Sequence, residues 1–143
     1  MGINYIGTQI NQSPTIVEKA GEDITDARGK IVKYDASGNV VLATAGAVAI
    51  GITIMEDGAN DITGAESGNV ASGEDVTVQI KDIGLVKAGG AIAKGAELAS
   101  DANGCAVTAT DGDFVIGTAR TKAASGEYCH IIINKYQKPA AKA

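Results

Sequence analysis

The chain nearly repeats itself, and this internal similarity limits the folds open to it. Residues 29–52 align with residues 95–118 without a gap, at a constant offset of 66 residues. A second block relates residues 72–80 to residues 125–133 at an offset of 53, so the first copy carries a 13-residue insertion. Two copies are too few for a solenoid, which needs about three or more. The repeat therefore predicts one domain made of two similar units that share a core.

Turn signals and composition indicate that both units are built from β-strands. Asp35–Asn39 and Asp101–Gly104 contain Asx and Gly residues between apolar runs, a pattern typical of hairpin turns. The apolar residues are mostly Ala, Val and Ile, with one Phe, no Trp and 19 Gly. Strands spaced about ten residues apart are typical of small barrels and sandwiches. We expect an all-β, single-domain β-barrel or β-sandwich, whose aromatic-poor core gains burial from assembly.

An uncharged run over residues 40–55 is the one stretch that resembles a membrane segment. Its 16 residues fall short of the roughly 20 needed for a helical span. In the repeat, Ala45-Gly46-Ala47 aligns with the polar turn Asp111-Gly112-Asp113. The run is therefore predicted to be two strands and their connection, with no association with a membrane.

The unrepeated parts of the sequence define the remaining domain organisation. Residues 1–19 are predicted to form an extended N-terminal arm, because residues 1–17 carry no charge and are unusually rich in Ile. The β-domain is expected over residues 20–134, with pseudo-repeats 29–80 and 95–133, an exposed acidic loop over 56–69, and a loose tail over 135–143. An arm of this composition is suited to adding a strand to another chain. Its candidate partner-binding residues are Ile3, Tyr5, Ile6, Ile10 and Ile16.

Several function classes are disfavoured by what the chain lacks. A net charge of −5 and scattered Lys and Arg argue against nucleic-acid binding. His130 is the only histidine and aligns with Thr77 in the first copy, which favours an ordinary strand position over a catalytic one. Cys105 and Cys129 lack ligand spacing; a reduced pair is expected, with a disulfide as the alternative. We expect no enzyme, no cofactor and no metal site.

Three blocks, taken in order, resemble the capsid decoration or cement proteins of tailed bacteriophages. They are ARGKIVKYDASGNVVLATAGAVAIGIT, VKAGGAIAKGAELASDANGCAVTAT and FVIGTARTKAASGEYCHIIIN, within residues 20–134. The resemblance implies a β-tulip-like structural protein of the virion, made in the host cytoplasm. It also implies binding to the major capsid protein on the outer surface of the head, as a homotrimer that stabilises the capsid. The arm and one end of the β-domain are the expected contacts.

A second interpretation stays open alongside this one. The chain is also compatible with another virion or surface β-module, such as a head-fibre base or a glycan-binding domain. The chain has no Trp and only four Tyr residues, and this scarcity of aromatic side chains argues against stacking on sugar rings.

Overall fold

A computed structural model of the 143-residue chain describes residues 13–58 and 68–140. The described residues form strands and turns without a helix, and no helix among them is long and apolar enough to cross a membrane. The strands are β1 (Thr15–Lys19), β2 (Ile31–Tyr34), β3 (Val40–Leu42), β4 (Gly51–Thr53), β5 (Asp75–Gln79), β6 (Ile83–Lys87), β7 (Glu97–Ser100), β8 (Ala106–Thr108), β9 (Phe114–Ala119) and β10 (Tyr128–Gln137).

The strands form two five-stranded antiparallel sheets with the same internal order. The first is β1-β5-β4-β2-β3 and the second is β6-β10-β9-β7-β8, so each strand of one sheet has its counterpart five strands later. Isolated parallel bridges, Ala20 to Val40 and Ala88 to Ala106, link opposite edges of each sheet. Each sheet is curled, but one isolated bridge does not close it into a barrel. The prediction of an all-β fold is confirmed, and of its two forms the structure is a small sandwich rather than a barrel.

The structure includes β1 in the first repeat unit, although the sequence alignment began later. Lys19-Ala20-Gly21 precedes Ile24 as Lys87-Ala88-Gly89 precedes Ile92, at an offset of 68 residues. The bridges made by Ile24 with Val70 and by Ile92 with Ala123 are likewise equivalent. The first unit therefore starts at β1, and residues 15–19 belong to the β-domain instead of the predicted arm.

The domain also extends beyond its predicted C-terminal boundary. β10 continues to Gln137, where it pairs with Phe114 of β9 after a register shift between Ile133 and Tyr136. The predicted tail therefore contributes three residues to the sheet. Of the predicted acidic loop, residues 59–67 lie outside the described residues, whereas Asp57 is buried with 7% of its surface exposed.

Equivalent carboxylates fix equivalent turns in the two units. One oxygen of Asp35 accepts the backbone N–H groups of Ser37 (2.8 Å) and Asn39 (2.9 Å). Asp101 accepts those of Asn103 (2.8 Å) and Cys105 (2.9 Å). An aspartate that bonds to the backbone of its own loop favours a turn over continued strand. The repeated Asp is thus the local reason that both hairpins reverse at the same place.

The two units share one core at their junction. Ile31, Ala43 and Ile52 of the first unit are buried in the same cluster as Leu98 and Ile131 of the second. Backbone hydrogen bonds also cross the junction: Ile31 N–H to the Gly104 carbonyl (2.7 Å), Gly46 N–H to Ser100 (3.0 Å), and Lys87 N–H to Gly29 (2.8 Å). A second cluster lies within the first unit alone. The shared cluster and the crossing bonds make the two units one domain, as the repeat predicted.

Replacement of Gly117 by Ala tests the closest backbone approach in the second sheet. A Cβ there would collide with the carbonyl oxygen of Ile132, as one at Gly51 would with that of Gln79. We expect Gly117→Ala to lower the free energy of unfolding by about 2 kcal/mol or more, because the neighbouring strand must move. Denaturant titration measures the loss.

Gly90→Ala is the matched control, since a Cβ at Gly90 meets only Val107, at 3.9 Å. Its free energy of unfolding should stay within about 0.5 kcal/mol of the parent value. Equal losses for the two variants would show that the approach of β9 to β10 is not tightly constrained.

Candidate binding surface

The predicted arm residues fall into two groups. Ile3, Tyr5, Ile6 and Ile10 lie outside the described residues. Ile16 lies in β1 and packs, partly buried, against the core of the first sheet. It pairs with Val78 of β5, so its contacts are within its own chain. The structure therefore assigns Ile16 to the fold, and the segment N-terminal to the domain contains the other four candidates.

A groove lies where the two units meet on the outer surface, and we call it the junction groove. Its volume is about 300 Å³. The first unit contributes the end of β4, the turn that follows it and the end of β5, whereas the second contributes β6 and one side chain of β10. The lining residues are Thr53, Ile54, Met55, Glu56, Gln79, Ile83, Gly84, Leu85 and His130.

Exposed apolar side chains lie in and beside the junction groove. Ile83 and Ile132 are cross-strand partners of β6 and β10, with 53% and 44% of their surfaces exposed. Val17 of β1, 61% exposed, is paired with Thr77, whose carbonyl accepts the N–H of groove residue Ile54. Clustering of exposed Ile and Val is typical of a binding surface, whereas isolated exposures are ordinary.

The repeat shows that the fold does not require this apolar pair. The residues of the first unit equivalent to Ile83 and Ile132 are Thr15 and Gln79, which are also cross-strand partners. A polar pair is therefore compatible with the same strands in the same register. Because exposure of Ile to water is unfavourable, the apolar pair in the second unit makes this face a candidate binding surface.

Two polar side chains hold the walls of the junction groove in place. The Gln79 amide donates to the carbonyls of Lys81 (3.0 Å) and Ile83 (2.8 Å), which fixes the turn into β6. The Asp57 carboxylate accepts the N–H groups of Ile54 (3.0 Å) and Thr77 (2.8 Å), which ties the β4 turn to β5. Burial raises the pKa of Asp57, and the charge of Glu56 adds to that effect, whereas the two backbone N–H groups act in the opposite direction.

The junction groove has polar as well as apolar lining residues, and the polar ones are Thr53, Glu56, Gln79 and His130. His130 lies exposed on β10 opposite Leu85, at one wall of the groove.

The two cysteines are free thiols, and burial raises the pKa of Cys105. Over residues 13–58 and 68–140, no cluster of three His, Cys, Asp or Glu side chains is arranged to hold a metal ion.

Fold and surface define an all-β module with an exposed apolar face, and the comparisons with known proteins identify its class. The family model for phage cement proteins matches residues 59–133, just over half of the chain. The chain therefore belongs to the phage cement protein family and is a structural protein of the virion, associated with the capsid. The resemblance found in the sequence is confirmed.

A solved structure supports the same fold. The head fiber gp8.5 N base of bacteriophage phi29 superimposes with a TM-score of 0.62 at 18% sequence identity. The match covers 84% of this chain and 92% of that one. No curated protein sequence matches the chain at a significant level.

Replacement of Asp57 by Ala tests the anchoring of the groove wall. The change removes the acceptor for two backbone N–H groups, so we expect the free energy of unfolding at neutral pH to fall by about 1–3 kcal/mol. Glu56→Ala, at the exposed neighbouring position, is the control and should change it by less than about 0.5 kcal/mol. Denaturant titrations of both variants make the comparison.

The loss caused by Asp57→Ala should also depend on pH. Because its pKa is raised in the folded state, Asp57 contributes most stability below its unfolded pKa, and that contribution falls as pH rises through the folded pKa. The difference from the parent chain should therefore be larger at acid pH than at neutral pH. The opposite trend would show that the two hydrogen bonds outweigh burial.

Proposed function

We propose that the protein decorates the outer face of a phage capsid and stabilises the shell by binding the major capsid protein. The match of the cement family model to residues 59–133 is the observation that carries this proposal. In its support, the chain has an uncharged N-terminal segment and an acidic body with a net charge of −5. Neither feature favours contact with packaged nucleic acid.

In this proposal, the N-terminal segment supplies the first contact with the capsid. Ile3, Tyr5, Ile6 and Ile10 are the apolar side chains that would be buried against the major capsid protein. A segment without charge is buried at lower cost than a charged one, because no ion has to be desolvated. The segment enters the domain at β1, an edge strand of the first sheet that also carries the exposed Val17.

Assembly as a homotrimer is part of the same proposal. The core is poor in aromatic residues, and its largest fully buried side chains are Ile, Leu and Val. Contact between copies on the capsid would add apolar burial that the isolated domain lacks. Sedimentation equilibrium of the purified chain measures the mass of the species directly.

Deletion of residues 1–12 tests the role of the arm. The boundary matters because the Pro14 carbonyl accepts the Ile80 N–H (2.8 Å) and Thr15 begins β1, so a longer deletion would damage the fold. We expect the variant to bind expanded heads at least tenfold more weakly in cosedimentation, a loss of about 1.4 kcal/mol or more. The variant should remain folded, with a cooperative thermal transition like that of the full chain.

A variant that lacks residues 141–143 is the matched control, because it also shortens one terminus outside the described residues. It should cosediment with heads as the full chain does. Equal binding by the 1–12 deletion and this control would contradict capsid attachment through the arm.

A head-fibre base is the second candidate function, favoured by the structural likeness to the phi29 head fiber base. Both candidates attach to the head. They differ in consequence: a cement protein strengthens the shell to which it binds, whereas a fibre base serves to carry another part.

A further inference from the structure

β6 presents an open strand edge to the junction groove. Along this strand the backbone groups alternate in direction, and the Ala88 N–H bonds to the Glu127 carbonyl (2.8 Å) on the β10 side. The backbone N–H and C=O groups of Gly84 and Val86 therefore point towards β10. Those of Ile83, Leu85 and Lys87 point away from β10, towards the groove. The Lys87 N–H reaches the Gly29 carbonyl of the first unit (2.8 Å).

Leu85 is the residue that this alternation leaves open. Within residues 13–58 and 68–140, β6 is an edge strand that pairs with β10 alone, and no turn or loop of the first unit bonds to the Leu85 backbone on the groove side. An edge of this kind pairs readily with an added strand, and natural proteins cover or charge such edges to prevent aggregation. Here Ile83, on the edge strand itself, is apolar and 53% exposed instead.

We propose that residues 1–12 of the same chain dock in the junction groove and add a short strand antiparallel to β6. The Leu85 N–H then donates to the added strand and its carbonyl accepts from it. The apolar surface of the groove residues Ile83, Leu85 and Met55 is covered by the Ile and Tyr side chains of the segment. This intrachain site is distinct from the capsid contact and does not depend on it.

The position at which the segment enters the domain favours this occupant. Thr15 pairs with Gln79, and the Gln79 amide donates to the Ile83 carbonyl at the start of β6 (2.8 Å). The chain thus enters the domain one strand away from the groove lining. Twelve extended residues reach about 40 Å, well beyond the five residues of β6. Ser13-Pro14 lies between, where Pro favours a change of direction over a continuous strand.

Composition also fits the segment to this groove. Residues 1–12 contain no charged side chain, and Glu56 is the one acidic residue of the groove lining. In an extended conformation Ile3 and Tyr5 lie on one face, so both can pack against the apolar residues of the groove lining. The equivalent edge on β1 is less apolar, because the polar Thr15 takes the place of Ile83, and Val17 that of Leu85.

Docking has a consequence for attachment to the capsid. Where the same segment also binds the major capsid protein, the groove stores it in the free protein and the capsid competes for it. The apparent affinity for heads is then reduced by the fraction of time for which the segment is docked. Storage also covers the open edge of β6 beside Ile83 before assembly, which prevents edge-to-edge aggregation.

Amide hydrogen exchange of Leu85 tests the proposal in the free protein. It is measured by ¹⁵N NMR on the full chain and on the variant lacking residues 1–12. We expect the Leu85 amide to exchange at least about tenfold more slowly in the full chain, because a hydrogen-bonded amide must open before it exchanges. The Val86 amide, which faces β10, is the internal control and should exchange equally in both.

A second variant retains the whole chain. Ile3→Asp, on the face that packs into the groove, should speed Leu85 exchange towards the value of the deletion. Thr8→Asp adds the same charge on the opposite face of an extended segment, so it should leave Leu85 exchange closer to that of the full chain. Equal Leu85 exchange in the full chain and the deletion would overturn the proposal. Protection that appears only as the protein concentration rises would overturn it as well, because it would show that the segment of a second copy occupies the groove.

Discussion

Burial of the outer face of the first unit against the second unit is the contact on which the rest of the structure depends. Ile31 and Ile52 carry this face, and both are fully buried in the cluster that the two units share. The first unit has a cluster of its own, but the larger cluster is the one that both units build. The junction therefore provides the core that a domain of this size needs. It also forms the junction groove, where the ends of β4 and β5 meet β6.

The second unit has to end this stacking, and its sequence differs where that is necessary. The residues equivalent to Ile31 and Ile52 are Glu97 and Thr118, so the corresponding face is polar. The extension of β10 covers that face: the Tyr136 hydroxyl donates to the Glu97 carboxylate, and the Lys138 ammonium lies 3.5 Å from it. The hydrogen bond from Tyr136 lowers the pKa of Glu97. A polar outer face on a terminal unit is how repeat proteins stop further association.

Much of the fold followed from the sequence because the repeat carried it. The Asp35 and Asp101 turns and the two-strand interpretation of residues 40–55 were predicted from paired positions, and the structure contains them. Two errors share one cause. Strand β1 and the end of β10 lie at the limits of the alignment, where side chains differ between the units. The signal for β1 was present as Lys-Ala-Gly at residues 19–21 and 87–89. It was missed because the second unit is two residues shorter than the first between this motif and the aligned block that begins at residue 95.

The binding surface was less accessible to sequence reasoning. Ile83 and Ile132 are 49 positions apart, and only strand pairing brings them together. Residue 83 precedes the aligned block, and residue 132 resembles any strand residue, so neither stands out in the sequence. Their significance appears from comparison of the two units in three dimensions, where Thr15 and Gln79 hold the same places. Asp57 was missed for a related reason: its loop is acidic, and only the structure shows that its carboxylate is buried.

Retention of packaged DNA on heating tests the central claim, that this chain strengthens a capsid, most directly. Heads that lack the chain are compared with the same heads after addition of the purified full chain, and DNA release is followed with an intercalating dye as temperature rises. The account predicts that release moves to a higher temperature when the chain is bound, and that the variant lacking residues 1–12 has little effect. Release at the same temperature with the full chain demonstrably bound would contradict it.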